Sequence, residues 1–218
     1  MSLAQPRQIL PLISYLLDLC MSAGDPILKA MHSEETQDEG DSDADLYISY
    51  QQGNNHAFQF LFHRWKLPLI SFFYRSLGNR EDAEELALDV FRKLHQSDRR
   101  FERKARFPTF LFTIARRLLL NKIRSKRRKP LEIIDPGDLL YIQNEAESSN
   151  AITAEQEQIM IRALDELEEK YRTPLLLTLQ QGLQPREISK IISKSENSTR
   201  VLLHRAKIKL RQILEQRS

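Results

Sequence analysis

The chain has one cysteine, Cys20, one tryptophan and only six glycines in 218 residues. A lone cysteine excludes a disulfide framework and a cysteine-built metal site within one chain. It fits a reducing compartment, so a cytoplasmic location is expected. The glycines, at 24, 40, 53, 78, 137 and 182, stand apart from one another, which excludes a glycine-rich phosphate loop. The five histidines, at 32, 56, 63, 95 and 204, do not pair at metal-ligand spacing. No nucleophile–base constellation is legible. No enzyme activity, catalytic residue, metal or cofactor is therefore expected. Long apolar runs are also missing. The longest, Ile9 to Cys20, holds Pro11 and Asp18 and is too short to cross a bilayer. It lacks the basic start and small-residue cleavage site of a signal peptide, and reads as a helix docking on the body or on a partner. Strand-like alternation is scarce and helical spacing dominates, so the chain is expected to be all-α.

What is present is charge, unevenly spread. The net charge is +3, yet residues 1–45 carry two basic and nine acidic side chains, and residues 92–130 carry fifteen basic and two acidic. Residues 131–170 return to two basic and eleven acidic, and residues 184–218 carry nine basic and three acidic. Two cationic blocks separated by an acidic one suit two contacts with a polyanion, joined by a segment that avoids it.

The periodicity divides the chain accordingly. Residues 1–42 read as an extension and acidic linker, because 32–43 hold no large apolar residue. Residues 43–129 form a first helical domain. It contains a helix from Asp45 to Gln52, an aromatic-rich one from Ala57 to Leu77 with a kink expected at Pro68, and one opening with Glu81, Asp82, Glu84 and Glu85 and running to Leu94. After a cationic loop, a helix from Thr109 to Lys126 follows, with Pro108 in its first turn. Residues 130–151, holding Pro136-Gly137 and Ser148-Ser149, read as a flexible linker. Residues 152–218 form a second domain. Ile159, Ala163, Leu164 and Leu167 share a face of its first helix, and Thr173-Pro174 caps a helix over Leu175 to Gln181. Gln184 to Ile192, then Ser193 and Lys194, then Ser195 to Leu214 make a short helix, a tight turn and a basic helix. That is the plan of a helix-turn-helix, with Ile208 and Leu210 to Leu214 closing the core.

Two stretches carry a resemblance. Asn79 to Leu94 (NREDAEELALDVFRKL) with Arg106 to Arg124 (RFPTFLFTIARRLLLNKIR) resembles the second region of bacterial sigma factors, closest to the extracytoplasmic-function group. The tail from Leu164 to Arg211 resembles their fourth region. One helix-turn-helix is weakly specific; the pair in this order and spacing is strong.

The resemblance implies an initiation factor that binds core RNA polymerase through the beta-prime clamp, recognises promoter DNA and helps to melt it, with an anti-sigma factor as a further partner and no membrane insertion. It implies that Leu86, Asp89, Val90 and Phe91 meet the polymerase. Arg103, Arg106, Phe107, Thr109, Phe110, Thr113, Arg116, Arg117 and Asn121 would hold the minus-ten element, where cations take phosphates and aromatic or polar groups take unstacked bases. Arg186, Ser198, Thr199, Arg200, His204, Arg205 and Lys207 would meet the minus-thirty-five element. The chain departs from the family's habit at several of these places. It has Leu88-Asp89 for the usual Gln-Glu, Phe110 for the usual Trp, Arg117 for Asn, Asn121 for Asp and Leu202 for Arg. Two other readings compete: a stand-alone helix-turn-helix regulator that ignores polymerase, which lacks an evident sensing domain, and a nucleic-acid enzyme, which lacks a metal or nucleophile cluster. Co-purification with core polymerase separates the first from the leading reading.

Overall fold

The computed structural model describes residues 42–97, 101, 105–126 and 154–216. They form eight helices and no strand: α1 (Ser42–Gln51), α2 (Asn55–Leu77), α3 (Arg80–His95) and α4 (Phe107–Lys126), then α5 (Ala154–Glu166), α6 (Glu169–Gln181), α7 (Pro185–Ile192) and α8 (Glu196–Gln216). The all-α expectation is met. The apolar segment 9–20, Arg99, Arg100, Arg103, Lys104 and the linker at 130–151 lie outside the described residues.

Local chemistry sets the ends of α2 and α3. Gly78 adopts φ 67° and its N–H donates to the Tyr74 carbonyl at 2.7 Å. A side chain at that φ is strained, which favours glycine at this stop. Asn79 then caps α3, its side-chain oxygen accepting from the Asp82 N–H at 2.8 Å. Glu81 and Asp82 lie in the first turn of α3 and Arg92, Lys93 and His95 in the last, which suits the helix dipole at both ends. The helical span of α2 continues through Pro68.

α2 and α3 bury their facing ridges, with Phe62 and Phe91 ring centres 4.7 Å apart. Tyr47 of α1 is fully enclosed against Phe101, Phe107 and Phe110, and its hydroxyl donates to the Leu94 carbonyl at 3.0 Å. Trp65 Nε1 donates to Asp43 at 3.0 Å and Arg64 pairs with the same carboxylate, so α1 is tied to α2 by polar as well as apolar contact. Each large apolar side chain enclosed this way contributes about 1.5–3 kcal/mol.

The second half departs from expectation at α6. Thr173-Pro174 does not open that helix. It sits inside a span that starts at Glu169, with Glu168 at the N-cap position. Tyr171, Thr173, Leu175, Leu176 and Leu177 are all buried, and this burial outweighs the backbone hydrogen bond that Pro174 removes. Gly182, at φ 59°, ends α6. Ile208 is a second correction. It is 42% exposed, whereas Leu203, Ala206, Leu210 and Leu214 are buried. Those four define the inner stripe of α8, and position 208 falls off it.

The two halves pack on one another. α5 and α6 lie against α2, and α7 lies against α4. Arg172 of α6 donates through Nη1 to the Ser76 carbonyl at 2.8 Å and through Nη2 to the Leu167 carbonyl at 3.0 Å. Gln180 meets the Ser71 hydroxyl at 3.1 Å. Burial pushes the Arg172 pKa down, while Asp165, 3.3 Å away, pushes it back. Burial also raises the Asp165 carboxyl, against the pull of Arg172.

Candidate nucleic-acid interface

α3 has two faces. Leu86, Val90 and Phe91 are buried in the first half's core. This corrects the expectation that these three side chains meet a partner, since their apolar stripe is used to pack α3 on α2. Asp89 is half-buried and accepts a hydrogen bond from Arg92 at 2.6 Å. The outward stripe is Glu81, Glu85, Leu88 and Arg92, and Leu88 is 49% exposed. Leu88 stands where the family usually has an amide and is not among the residues expected to meet the polymerase. Its spacing from Glu81, Glu85 and Arg92 was the signal that it faces outward.

α4 sorts its residues similarly. Phe107 is fully enclosed, so its ring is not offered to a base, a second correction, while Thr109 is nearly enclosed with its hydroxyl 3.5 Å from Glu187 of α7. Phe107 packs on Tyr47 and Trp65 because the first turn of α4 closes the aromatic core. Phe110 is half-buried against Tyr47 and Phe101. The Thr113 hydroxyl donates back to the Thr109 carbonyl at 2.7 Å. Arg117 and Asn121 are exposed, and Arg116 is half-buried with its Nε enclosed and unpartnered among the described residues. A donor left this way costs about 1–3 kcal/mol unless something else accepts from it. Lys122 is spent elsewhere, 2.7 Å from both Asp82 and Glu85 of α3. Burial alone would raise the Asp82 pKa; hydrogen bonds and charge from Lys122 and Lys126 outweigh it and hold the carboxyl below its usual range. Hydrogen bonds to Asp82 and Glu85 raise the Lys122 pKa, against the effect of burial. Arg106 is largely exposed and lies 3.6 Å from Glu187 of α7.

The helix-turn-helix is compact. Pro185 begins α7, where its missing N–H costs nothing. Glu187 accepts from the Gln184 N–H at 2.9 Å, which is half of a capping box. Ser193 ends α7 at φ 56°, and the Lys194 N–H donates to the Ser189 carbonyl at 3.0 Å. This left-handed residue turns the chain sharply into α8. On α8, Ser198, Arg200, His204 and Arg205 are exposed and Lys207 is half-buried. Arg200 pairs with Glu196 at 2.6 Å. Thr199 is fully buried and its hydroxyl donates to the Ser195 carbonyl at 2.9 Å. It therefore supports the start of the helix and does not face outward, a third correction. Two outward residues were missed, Asn197 and Val201. They continue the 197, 201, 204, 208 stripe, and that spacing was the available signal. An outward amide and an apolar side chain suit an adenine edge and a thymine methyl. Arg186 is exposed at the start of α7.

Residues 61–129 match the family model for sigma-70 region 2, and residues 157–210 match that for sigma-70 region 4. The chain is 26% identical over 174 residues to the ECF RNA polymerase sigma factor SigW of Bacillus subtilis, covering 75% of this chain and 92% of that one. It is 22% identical over 176 residues to the RNA polymerase sigma-H factor of Pseudomonas aeruginosa, covering 77% and 91%. Among solved structures, CnrH in complex with the cytosolic domain of CnrY superposes with a TM-score of 0.61 at 24% identity, over 82% of this chain and all of that one. The sigma factor RpoE of Bartonella quintana, in complex with the anti-sigma factor NepR, gives 0.59 at 19%, over 72% and 96%. These two likenesses are of fold.

Proposed function

Because the chain belongs to the extracytoplasmic-function group of the sigma-70 family and so directs promoter-specific transcription with RNA polymerase, we propose the following division of labour within it. The first half, 43–129, takes the polymerase through the outer stripe of α3 and the minus-ten DNA through α4. The second half, 152–218, takes the minus-thirty-five DNA through α8. On α3 the contact is assigned to Leu88 and Asp89, with Leu86, Val90 and Phe91 holding the helix in place behind them. A half-exposed leucine flanked by charges suits a helix-on-helix contact.

On α4 the DNA-facing groups are Arg106, Arg116, Arg117 and Asn121, with Arg103 on the preceding loop. Phe110 and Thr113 flank them. The observation that carries this is the state of Arg116 and Arg117. Neither has an ion-pair partner among the described residues, whereas Lys122, about a turn and a half on, is fully engaged by α3. Two cations held beside one another without an acid suit an unpaired strand. On α8 the base-reading positions are Asn197, Ser198, Val201 and His204. Arg200, Arg205, Lys207 and Arg186 serve the backbone, since phosphate contacts position such a helix and base contacts specify it. An anti-sigma partner of the kind seen with the Bartonella protein is part of the same reading, and so is a cytoplasmic location.

The test separates melting from docking. A held base is worth roughly 1–3 kcal/mol, and about 1.4 kcal/mol is tenfold. Arg116→Ala with Arg117→Ala should therefore cut promoter opening at least about tenfold, while holoenzyme assembly stays within about twofold. Permanganate reactivity of promoter thymines reads the first and core binding reads the second. Unchanged opening, or an equal loss of core binding, would sink the assignment.

A further inference from the structure

Packed together, the two halves cannot serve one promoter. The minus-ten and minus-thirty-five elements are about 25 base pairs apart, which is about 85 Å of duplex at about 3.4 Å per pair. Yet α7, the first helix of the helix-turn-helix, lies against α4, the minus-ten helix. The chain as it stands must open before both halves can engage DNA.

One side chain at this contact does two jobs. Glu187 is the third residue of α7. Its Oε2 accepts from the Gln184 N–H at 2.9 Å, which closes its own helix cap. Its Oε1 faces the other half of the molecule, 3.5 Å from the Thr109 hydroxyl and 3.6 Å from Arg106 Nη1. Arg106 and Thr109 flank the start of α4, where unpaired backbone N–H groups form the positive end of the helix dipole. A guanidinium, a hydroxyl and a helix N-terminus together are what a DNA phosphate seeks. Here they already face an anion, and its side chain is only 15% exposed.

We propose that Glu187 is a built-in phosphate mimic. In the free chain its carboxylate occupies the place of a promoter phosphate at the start of α4, and it keeps the minus-ten face covered until core polymerase holds the halves apart. This deepens the assignment of α4 to minus-ten DNA and rests on it. The polymerase-facing stripe of α3, around Leu88, is exposed in this arrangement, so the closed chain can still be captured. The long distances suit the role. A partly exposed ion pair is a weak bond, so the latch yields to the combined hold of polymerase and promoter. Arg172 on Ser76 and Gln180 on Ser71 hold the same closed arrangement through groups given no part in DNA binding.

The experiment uses the full chain, free and as holoenzyme. Glu187→Gln keeps an acceptor for the Gln184 N–H and removes the charge. Glu187→Asp keeps the charge but draws it back from α4 by one methylene. The probe is a labelled single strand from the melted segment of a promoter mapped with the holoenzyme. A dye pair at Gln59→Cys and Gln212→Cys, with Cys20→Ser, reports the separation of the halves. Both Glu187 variants should bind the strand about two- to fivefold more tightly than the parent as free proteins, and both should gain a population with the dyes further apart. In holoenzyme the parent and the variants should bind it equally. Glu215→Gln, a charge loss far along α8, should change neither readout.

Unchanged affinity and unchanged dye distance in both variants overturn the proposal. So does tighter binding of Glu187→Gln alone that persists in holoenzyme, which is a plain charge effect. If Arg116→Ala with Arg117→Ala leaves strand binding intact, α4 does not hold this DNA, and the assignment beneath the latch fails with it. If that double variant loses binding while both Glu187 variants bind as the parent does, the assignment stands and only the latch fails.

Discussion

At the scale of single residues, neighbours on one helix have opposite fates. Leu86 is buried and Leu88 is half-exposed two positions on. Leu86→Ala should cost about 2–5 kcal/mol of folding stability through lost contacts and a residual cavity, read as a fall in the urea midpoint. Leu88→Ala should leave that midpoint nearly unchanged and weaken core-polymerase binding severalfold. A reversed pattern would return the contact to the inner stripe. Tyr47 offers a test by pH. Burial pushes its pKa up from 10.0 to about 12, with a hydrogen bond from Ser97 opposing the shift. A raised pKa means the folded state holds the proton more tightly, so the stabilisation is complete below about pH 10 and is lost as pH rises toward 12. Each unit in that window should cost about 1.4 kcal/mol. Tyr47→Phe should flatten this alkaline loss and lower stability at neutral pH by about 1–2 kcal/mol, because the Leu94 carbonyl loses its donor. Unfolding free energies from pH 8 to 11.5 check both.

At the scale of elements, α8 is the simplest case of a helix with one job per side. Leu203, Ala206, Leu210 and Leu214 face inward, and Asn197, Ser198, Arg200, Val201, His204 and Arg205 face outward. Each phosphate neutralised on duplex DNA releases counterion, with a slope of about −0.9 in log affinity against log salt. Arg200→Ala with Arg205→Ala should therefore weaken binding to minus-thirty-five duplex and make that slope shallower by up to about 1.8. Val201→Ala should weaken binding only where a thymine methyl lies opposite and leave the slope alone. Salt titrations of the holoenzyme on promoter DNA distinguish the two, and an unchanged slope in the double variant would mean that α8 does not face DNA. α6 shows an element overriding its own signals: Thr173-Pro174 looks like a start, but the buried side chains around it extend the helix back to Glu169.

At the scale of the whole molecule, the halves are joined by Arg172, whose guanidinium reaches the carbonyls of Ser76, Leu167 and Asp165. Hydrogen bonds from a charged donor are worth about 1.5–3 kcal/mol. Arg172→Ala should destabilise the second half by about that much and also populate the separated arrangement. Urea unfolding and the dye-pair distance measure the two effects; if neither moved, the contact between the halves would need another support.

The sequence by itself determined the helical class, the positions of α3, α4, α7 and α8 to within about two residues, and the family. Those features rest on short-range chemistry: Gly78-Asn79 as stop and cap, Pro185 at a first turn, apolar positions at intervals of three and four, and cations in two blocks. What only the tertiary structure decided is which side of each helix is free. Leu86, Val90, Phe91, Phe107 and Thr199 all lie in segments to which the sequence reading gives a contact with polymerase or DNA, yet packing takes them into the interior and leaves Leu88, Asn197 and Val201 outside. Helical spacing marks a stripe, but which stripe is buried depends on the neighbouring helix, and that neighbour is distant in sequence. The same holds for Glu187. In the sequence it is a capping residue three places after Gln184. Only the fold carries it across 78 residues to Thr109, where the carboxylate that closes its own helix also faces the start of another.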